Sequence, residues 1–312
     1  MQSRRARLRA VPDPGPDVRG GAWEGLRPLE PRGQHTLFRV VWIVTSALLL
    51  LAIAVAAYSV LWEYSTRRYV KGFSDAIIPA SATPEQKIEA ILHWMSDGPA
   101  RLQYGPDGLI RDPTETLNYA SLLKVCGTAT NAFVNLADSA GLSSRRLLLL
   151  GPDRLATHVV AEVLIDGRWI VVDPAFRTIL RDSSGNEVTR KQLTDRSVFL
   201  AATHAIPGYD PAYTYDQTVH IRLGRLGGLG SYLRLAANRL APGWEDSVTA
   251  SLLLERESLA TMVGSMLLLM VLILARVFLR WYGARRLGIH PPEMAARALR
   301  AWGAFFDSGT AR

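Results

Sequence analysis

Two stretches of the chain show no alternation of apolar and polar positions. Residues 40–62, VVWIVTSALLLLAIAVAAYSVLW, run for 23 positions without a charge, more than the ~20 residues a helix needs to cross a bilayer core. Trp42, Tyr58 and Trp62 stand near the ends, where amphipathic rings favour the membrane interface, and Arg39 and Glu63 close the run off. A second run of 18 uncharged residues covers 258–275. Residues 277–279 prolong it past Arg276, whose long stem can snorkel to headgroup level, and Trp281 and Tyr282 follow. Runs this long and aliphatic are seldom core helices. Ala52, Ala54 and Ala56 resemble a cleavage signal, but 39 residues precede the first run and it exceeds the ~7–15 residues of a signal-peptide core, so an uncleaved signal-anchor is expected.

Between the runs the pattern changes to that of a folded domain. Thr83 as N-cap, Pro84 and Glu85 open a helix whose Ile88, Ile91, Leu92 and Met95 share one face, with His93 off that stripe. Residues 97–117 read as turns and short strands, interrupted by Gly and Pro. A second helix runs from Cys126 to a stop at Gly141, with Ala129, Ala132, Phe133, Leu136, Ala137 and Ala140 on its apolar face. A buried strand is expected over 146–150, then a hairpin over 157–173, THVVAEVLIDGRWIVVD, turned by Asp166-Gly167. A further strand over 176–180, a turn at Ser183, Ser184 and Gly185, and helices over 190–201, 232–240 and 244–256 complete the reading. The Tyr- and Gly-rich stretch 209–230 yields no assignment. The glycines of GRLGGLG (224–230) follow no strand at phosphate-loop spacing, which argues against a nucleotide site.

Charge becomes informative once it is divided along the chain. Residues 1–39 carry eight Arg against four acids and residues 276–312 seven Arg against two, whereas 40–275 hold 21 bases against 22 acids. Basic ends around a near-neutral middle fit a membrane protein better than a nucleic-acid-binding face. Arg-rich flanks stay in the cytoplasm, so both termini are expected there and the central domain on the far side of a plasma (inner) membrane. The expected organisation is a disordered basic tail over 1–38, a first span over 39–62, an extracytoplasmic domain over 63–257 with its core at about 84–205, a second span over 258–281 and a basic tail over 282–312. The single Cys126 excludes an internal disulfide and cysteine-rich metal sites. His and acid spacings point to no metal, and no cofactor is expected; His204 and His220 read as structural.

The hairpin carries the chemistry. With Ile165 facing Arg168 across the turn, paired positions sum to 333, so Val160 faces Asp173 and His158 lies diagonally from Asp173 on the same face. That separation lets a carboxylate reach the imidazole, at Nδ1 in the simplest arrangement, as the base-and-orienter half of a nucleophilic triad. Cys126, at a helix N-terminus, would be favoured as thiolate by the macrodipole, and the first-turn N–H groups are placed to hold an oxyanion.

The order Cys126, His158, Asp173, within VCGTATNAFVNLADSAGLSSRRL and THVVAEVLIDGRWIVVDPAF, resembles the transglutaminase-like superfamily over roughly residues 84–195. The resemblance implies an α+β, papain-like fold, with Cys at a helix N-terminus and His and Asp on an antiparallel sheet, here set between two transmembrane helices. It assigns Cys126 as thiolate nucleophile, His158 as general acid/base and Asp173 as orienting carboxylate, whereas the side chain that usually completes the oxyanion hole has no clear counterpart, Asn118 and Tyr119 being the candidates. Two positions depart from the family pattern: Val160 replaces a common aromatic, and Lys124-Val125 precede the Cys. The expected activity is cleavage or transfer of an amide or peptide acyl group through a thioacyl-enzyme; the alternative is a catalytically silent binding module in a membrane or envelope assembly. Expected partners are a peptide or protein amide substrate, the lipid bilayer, and a membrane-protein partner packed against small residues such as Gly264 and Ser265, with no nucleic acid.

Overall fold

The computed structural model describes residues 31–96, 113–117, 125–221 and 227–288. The chain divides into two compact units, residues 49–272 and residues 1–48 together with 273–312. The first apolar run lies inside one long helix, α1 (Pro31–Ile77), and the second inside the last α-helix, Glu257–Tyr282. Both are long and apolar enough to cross a membrane. Leu50 is 69% exposed and Leu267 54%, which excludes core helices, because a water-soluble fold would bury such a surface. α1 begins at Pro31, a residue pre-set for the first helical position, so residues 31–38, expected to be part of a disordered tail, are helical. Residues 1–30 lie outside the described residues.

In residues 49–272, α2 (Pro84–Ser96) starts as expected, with the Thr83 and Gln86 side chains each accepting from the other's backbone N–H at 3.3 and 2.9 Å. Its buried residues are Ile88, Ile91, Leu92 and Met95, and His93 is exposed. Residues 97–112 fall outside the described part, and Pro113–Thr116 form a single helical turn, α3, rather than a strand. The Cys helix is α4 (Cys126–Ser139); it ends where the Gly141 and Leu142 N–H groups bond back to Asp138 and Ala137, Gly141 taking φ +79°.

Strands β1 (Ser144–Leu150), β2 (Ala156–Ile165), β3 (Arg168–Asp173), β4 (Thr178–Ile179) and β5 (Thr218–Val219) form an antiparallel sheet ordered β4-β3-β2-β1-β5. The hairpin register is the expected one, Ile165 against Arg168 through Ala161 against Val172, with Asp166 and Gly167 both at positive φ. The strand expected over 176–180 shrinks to two residues, because Asp173 Oδ1 accepts from the Ala175 and Phe176 N–H groups and curls the chain into a turn. The helix expected over 190–201 is a 3₁₀ turn (Gln192–Thr194), then α5 (Arg196–Thr203), separated by Asp195, whose carboxylate caps the Ser197 N–H at 2.8 Å. α6 (Gly227–Leu240) starts earlier than expected. The 244–256 segment breaks at Ser247, which caps α7 (Val248–Glu255), ahead of α8 (Glu257–Tyr282).

The sheet is buried on both faces. Ala161, Val163, Ile170 and Val172 pack with α2 and α4, whereas Leu147, Leu149, Val160 and Val171 pack with Phe199 and Tyr215. α4 is therefore buried all round from Gly127 to Ala137. Its polar side meets a network rooted in the membrane-proximal helices. Arg256 donates to Asn135 Oδ1 (2.9 Å), Glu63 Oε1 (3.3 Å) and Asp138 Oδ2 (3.1 Å), Ser258 donates to Glu63 Oε2 (2.7 Å), and Glu255 holds Arg146 (2.7 Å) and Asn131 (3.1 Å). Ser265 meets Ser59 of α1 at 2.8 Å. Within residues 1–48 and 273–312, Arg276 lies 3.4 Å over the Trp42 ring and donates to its carbonyl at 2.9 Å. A Cβ at Gly283 would come within 2.6 Å of the Phe38 ring, so any larger residue there requires that ring to shift.

Candidate active site

Cys126 is the first residue of α4, half-buried, and follows an extended Val125. Thr128 fixes this entry: its hydroxyl donates to the Val125 carbonyl (2.8 Å) and accepts the Val125 N–H (3.3 Å). One turn on, Thr130 donates to the Val159 carbonyl at 3.1 Å, tying the Cys helix to β2 beside His158. The sulfur comes within interaction range of the His158 ring.

His158 and Asp173 meet, both buried, with Nε2 2.7 Å from Asp173 Oδ2. The nitrogen differs from the expected Nδ1. Nε2 is the one farther from the backbone, and reaching a diagonal neighbour on the adjacent strand requires that extra length. Nδ1 has no hydrogen-bond partner among the described residues. Asp173 is itself held by two backbone N–H groups, from Ala175 (3.1 Å) and Phe176 (3.2 Å). Burial is the largest single influence on the His158 proton and acts against the charge, but the Asp173 carboxylate and then the Cys126 sulfur outweigh it, and the pKa is raised to about 9. An imidazolium is thus favoured at neutral pH, beside a thiol and a carboxylate.

Sequence reasoning missed the shell around this pair. Tyr213 stacks flat on the His158 ring (centroids 4.5 Å apart), and Phe176 and Tyr209 meet it edge-on at 5.8 and 6.0 Å. Tyr209 and Tyr213 come from the unassigned stretch, whose cluster Tyr209, Tyr213, Tyr215 was the available signal. Burial pushes the Tyr209 and Tyr215 phenols far up, reinforced at both by the nearby Asp173 charge, so both stay neutral. Arg196 holds this loop by donating to the Tyr213 and Pro211 carbonyls.

A second polar cluster lies along β2. Buried Glu162 accepts from Arg145 (2.9 Å) and His220 (2.7 Å), and His220 Nδ1 reaches Asp246 at 2.7 Å. Burial drives the Glu162 carboxyl up, but His220, Arg145 and Arg190 together hold it below its usual value. His220 is held in this buried ion-pair cluster, and His204 is exposed with Nδ1 against the Ala201 carbonyl. Asn118 and Tyr119, the oxyanion candidates, lie outside the described residues. Among the described residues no group of His, Cys, Asp and Glu is arranged to hold a metal.

An antiparallel sheet with a cysteine-headed helix against it, between two membrane-length helices, defines a mixed α+β domain of papain-like layout. Residues 71–174 match the family model described as the transglutaminase-like superfamily, and the chain carries a domain of that superfamily. The matched segment contains Cys126, His158 and Asp173. No curated protein and no solved structure matches the chain.

Proposed function

We propose that this protein is a membrane-tethered thiol enzyme in which Cys126, His158 and Asp173 act as nucleophile, general acid/base and orienting carboxylate. The observation that carries the reading is a cysteine at a helix start, within range of an imidazole whose far nitrogen is bonded to a buried carboxylate. The Cys126 thiolate attacks an amide carbonyl carbon, forming the C–S bond. His158 gives its proton to the departing amine nitrogen as the C–N bond breaks, leaving a thioacyl-enzyme. His158, now neutral, takes a proton from water or from an acceptor amine as either attacks, and the thiolate leaves. Asp173 holds the ring through Nε2 and supports its positive charge without taking the proton. Hydrolysis is the preferred outcome, water being the abundant acceptor in an extracytoplasmic compartment. The two apolar helices tether this domain to a plasma membrane, with both termini in the cytoplasm.

One observation favours the silent binding module: His158 is only 1% exposed, with Tyr213 laid flat over it. The rate and pH dependence of Cys126 alkylation in the full chain separate the two. Reactivity rising well below the free-thiol pKa of about 8.5, and lost in His158→Ala, supports the enzyme; a thiol indifferent to His158 supports the binding module. Asp173→Asn is expected to give an intermediate, pH-shifted profile.

A further inference from the structure

The positive-inside rule leaves three cations unexplained. Arg67, Arg68 and Lys71 sit directly after the first apolar run, on the side the rule keeps poor in positive charge. They line a pocket of about 560 Å³ between α1 and the C-terminal end of α4, with Tyr64 at one end and Asp138 and Arg256 on its wall. That volume is typical of small-ligand sites.

Tyr64, Arg67, Arg68 and Lys71 recur at helical spacing on one face of α1. At 1.5 Å per residue, Arg67, Arg68 and Lys71 lie about 8, 9 and 14 Å past Trp62. The headgroup layer is about 5–8 Å deep on each side of the hydrocarbon. Helical side chains slant toward the helix N-terminus, which on α1 means back toward the bilayer, so the three cationic heads reach down into that layer.

The cations are available to a ligand. Arg67 and Lys71 are both 59% exposed; among the described residues Lys71 is paired with the equally exposed Asp75 of its own helix, a pair worth little that yields to a stronger anion, whereas Arg67 is held by the buried Glu63. Arg68 makes no ion pair among the described residues and has only the Tyr64 hydroxyl, at 3.4 Å. Arg256 is buried and its charge is offset by the Glu63 and Asp138 carboxylates, so the cations left for a ligand are those on α1. A phosphate fits this arrangement because guanidinium groups bind it through paired N–H donors.

We propose that this pocket binds the phosphate of an anionic phospholipid headgroup in the leaflet that α1 leaves, fixing the domain's height and rotation on the membrane. The inference rests on α1 crossing the bilayer and is independent of the thiol chemistry. The test uses the full chain in nanodiscs of phosphatidylcholine with or without phosphatidylglycerol, reading retained lipid by native mass spectrometry and thermal stability in parallel. The wild-type protein is expected to retain phosphatidylglycerol preferentially and to be stabilised by it. R68Q/K71Q, at exposed positions outside the active site, is expected to lose that preference by roughly tenfold or more, with Cys126 alkylation unchanged. R285Q/R286Q, in the π-helical turn (Gly283–Leu287) that follows α8, is expected to keep it. Equal retention in R68Q/K71Q overturns the proposal, as does an equal loss in R285Q/R286Q, which would mean general charge attraction. Stabilisation by millimolar inorganic phosphate without lipid overturns the lipid assignment in favour of a free-anion site.

Discussion

His158 gathers opposing forces at one atom pair. Burial resists its charge, yet Asp173 at 2.7 Å and the neighbouring sulfur win, and its pKa stands at about 9 against an ordinary 6.5. A proton held more tightly in the folded state stabilises that state fully below pH 6.5, and the stabilisation fades as pH rises through 9. Thermal melts of the full chain should therefore lose stability across this window, and His158→Gln should flatten the slope; an unchanged slope would place the proton elsewhere. Glu162 works with the opposite sign. Its lowered pKa contributes stability that is present above pH 4.5 and is lost as acid protonates it. Glu162→Leu strips the buried Arg145 and His220 of their shared acceptor and is expected to cost about 3–5 kcal/mol.

Among the elements, α4 and β2 form the working pair, and the Thr130 hydroxyl on the Val159 carbonyl is their polar tie next to the site. Thr130→Val keeps the shape and removes the donor, leaving a buried carbonyl short of one partner. The expected cost is about 1 kcal/mol of stability, with Cys126 alkylation slowed because sulfur and imidazole lose their fixed spacing. Unaltered reactivity would show that packing alone aligns the helix. The α4 stripe was legible from its Ala, Phe and Leu spacing, but its second buried face was not. Thr128, Thr130, Asn131 and Asn135 carry no apolar signal, yet all are buried, Thr130 against β2, Asn131 against Glu255 and Asn135 against Arg256. Polar residues look alike to periodicity whether water or a partner satisfies them.

Across the whole molecule, Glu63 and Arg256 lie 193 residues apart yet form one buried pair at 3.3 Å, joining α1 to the start of α8 beneath the Cys helix. The domain is therefore bonded to both membrane helices at their exits as well as covalently linked to them. If both apolar helices span in the orientation proposed above, the protein resists alkaline extraction, reporters at either terminus are cytoplasmic, and protease added to the far side cleaves only within 63–257. A terminus reached from the far side would reverse the orientation.

The chain's own pattern was enough to mark two helices of membrane-spanning length, the hairpin register and the order Cys126, His158, Asp173, because each depends on local spacing: an unbroken apolar length, a two-residue turn, a cap. The tertiary structure alone decided which imidazole nitrogen meets Asp173, that Tyr213 covers the ring, and that Glu63 and Arg256 pair. Those contacts bring together segments tens to hundreds of residues apart, and the order of residues along a chain does not encode which distant side chains share a desolvated space.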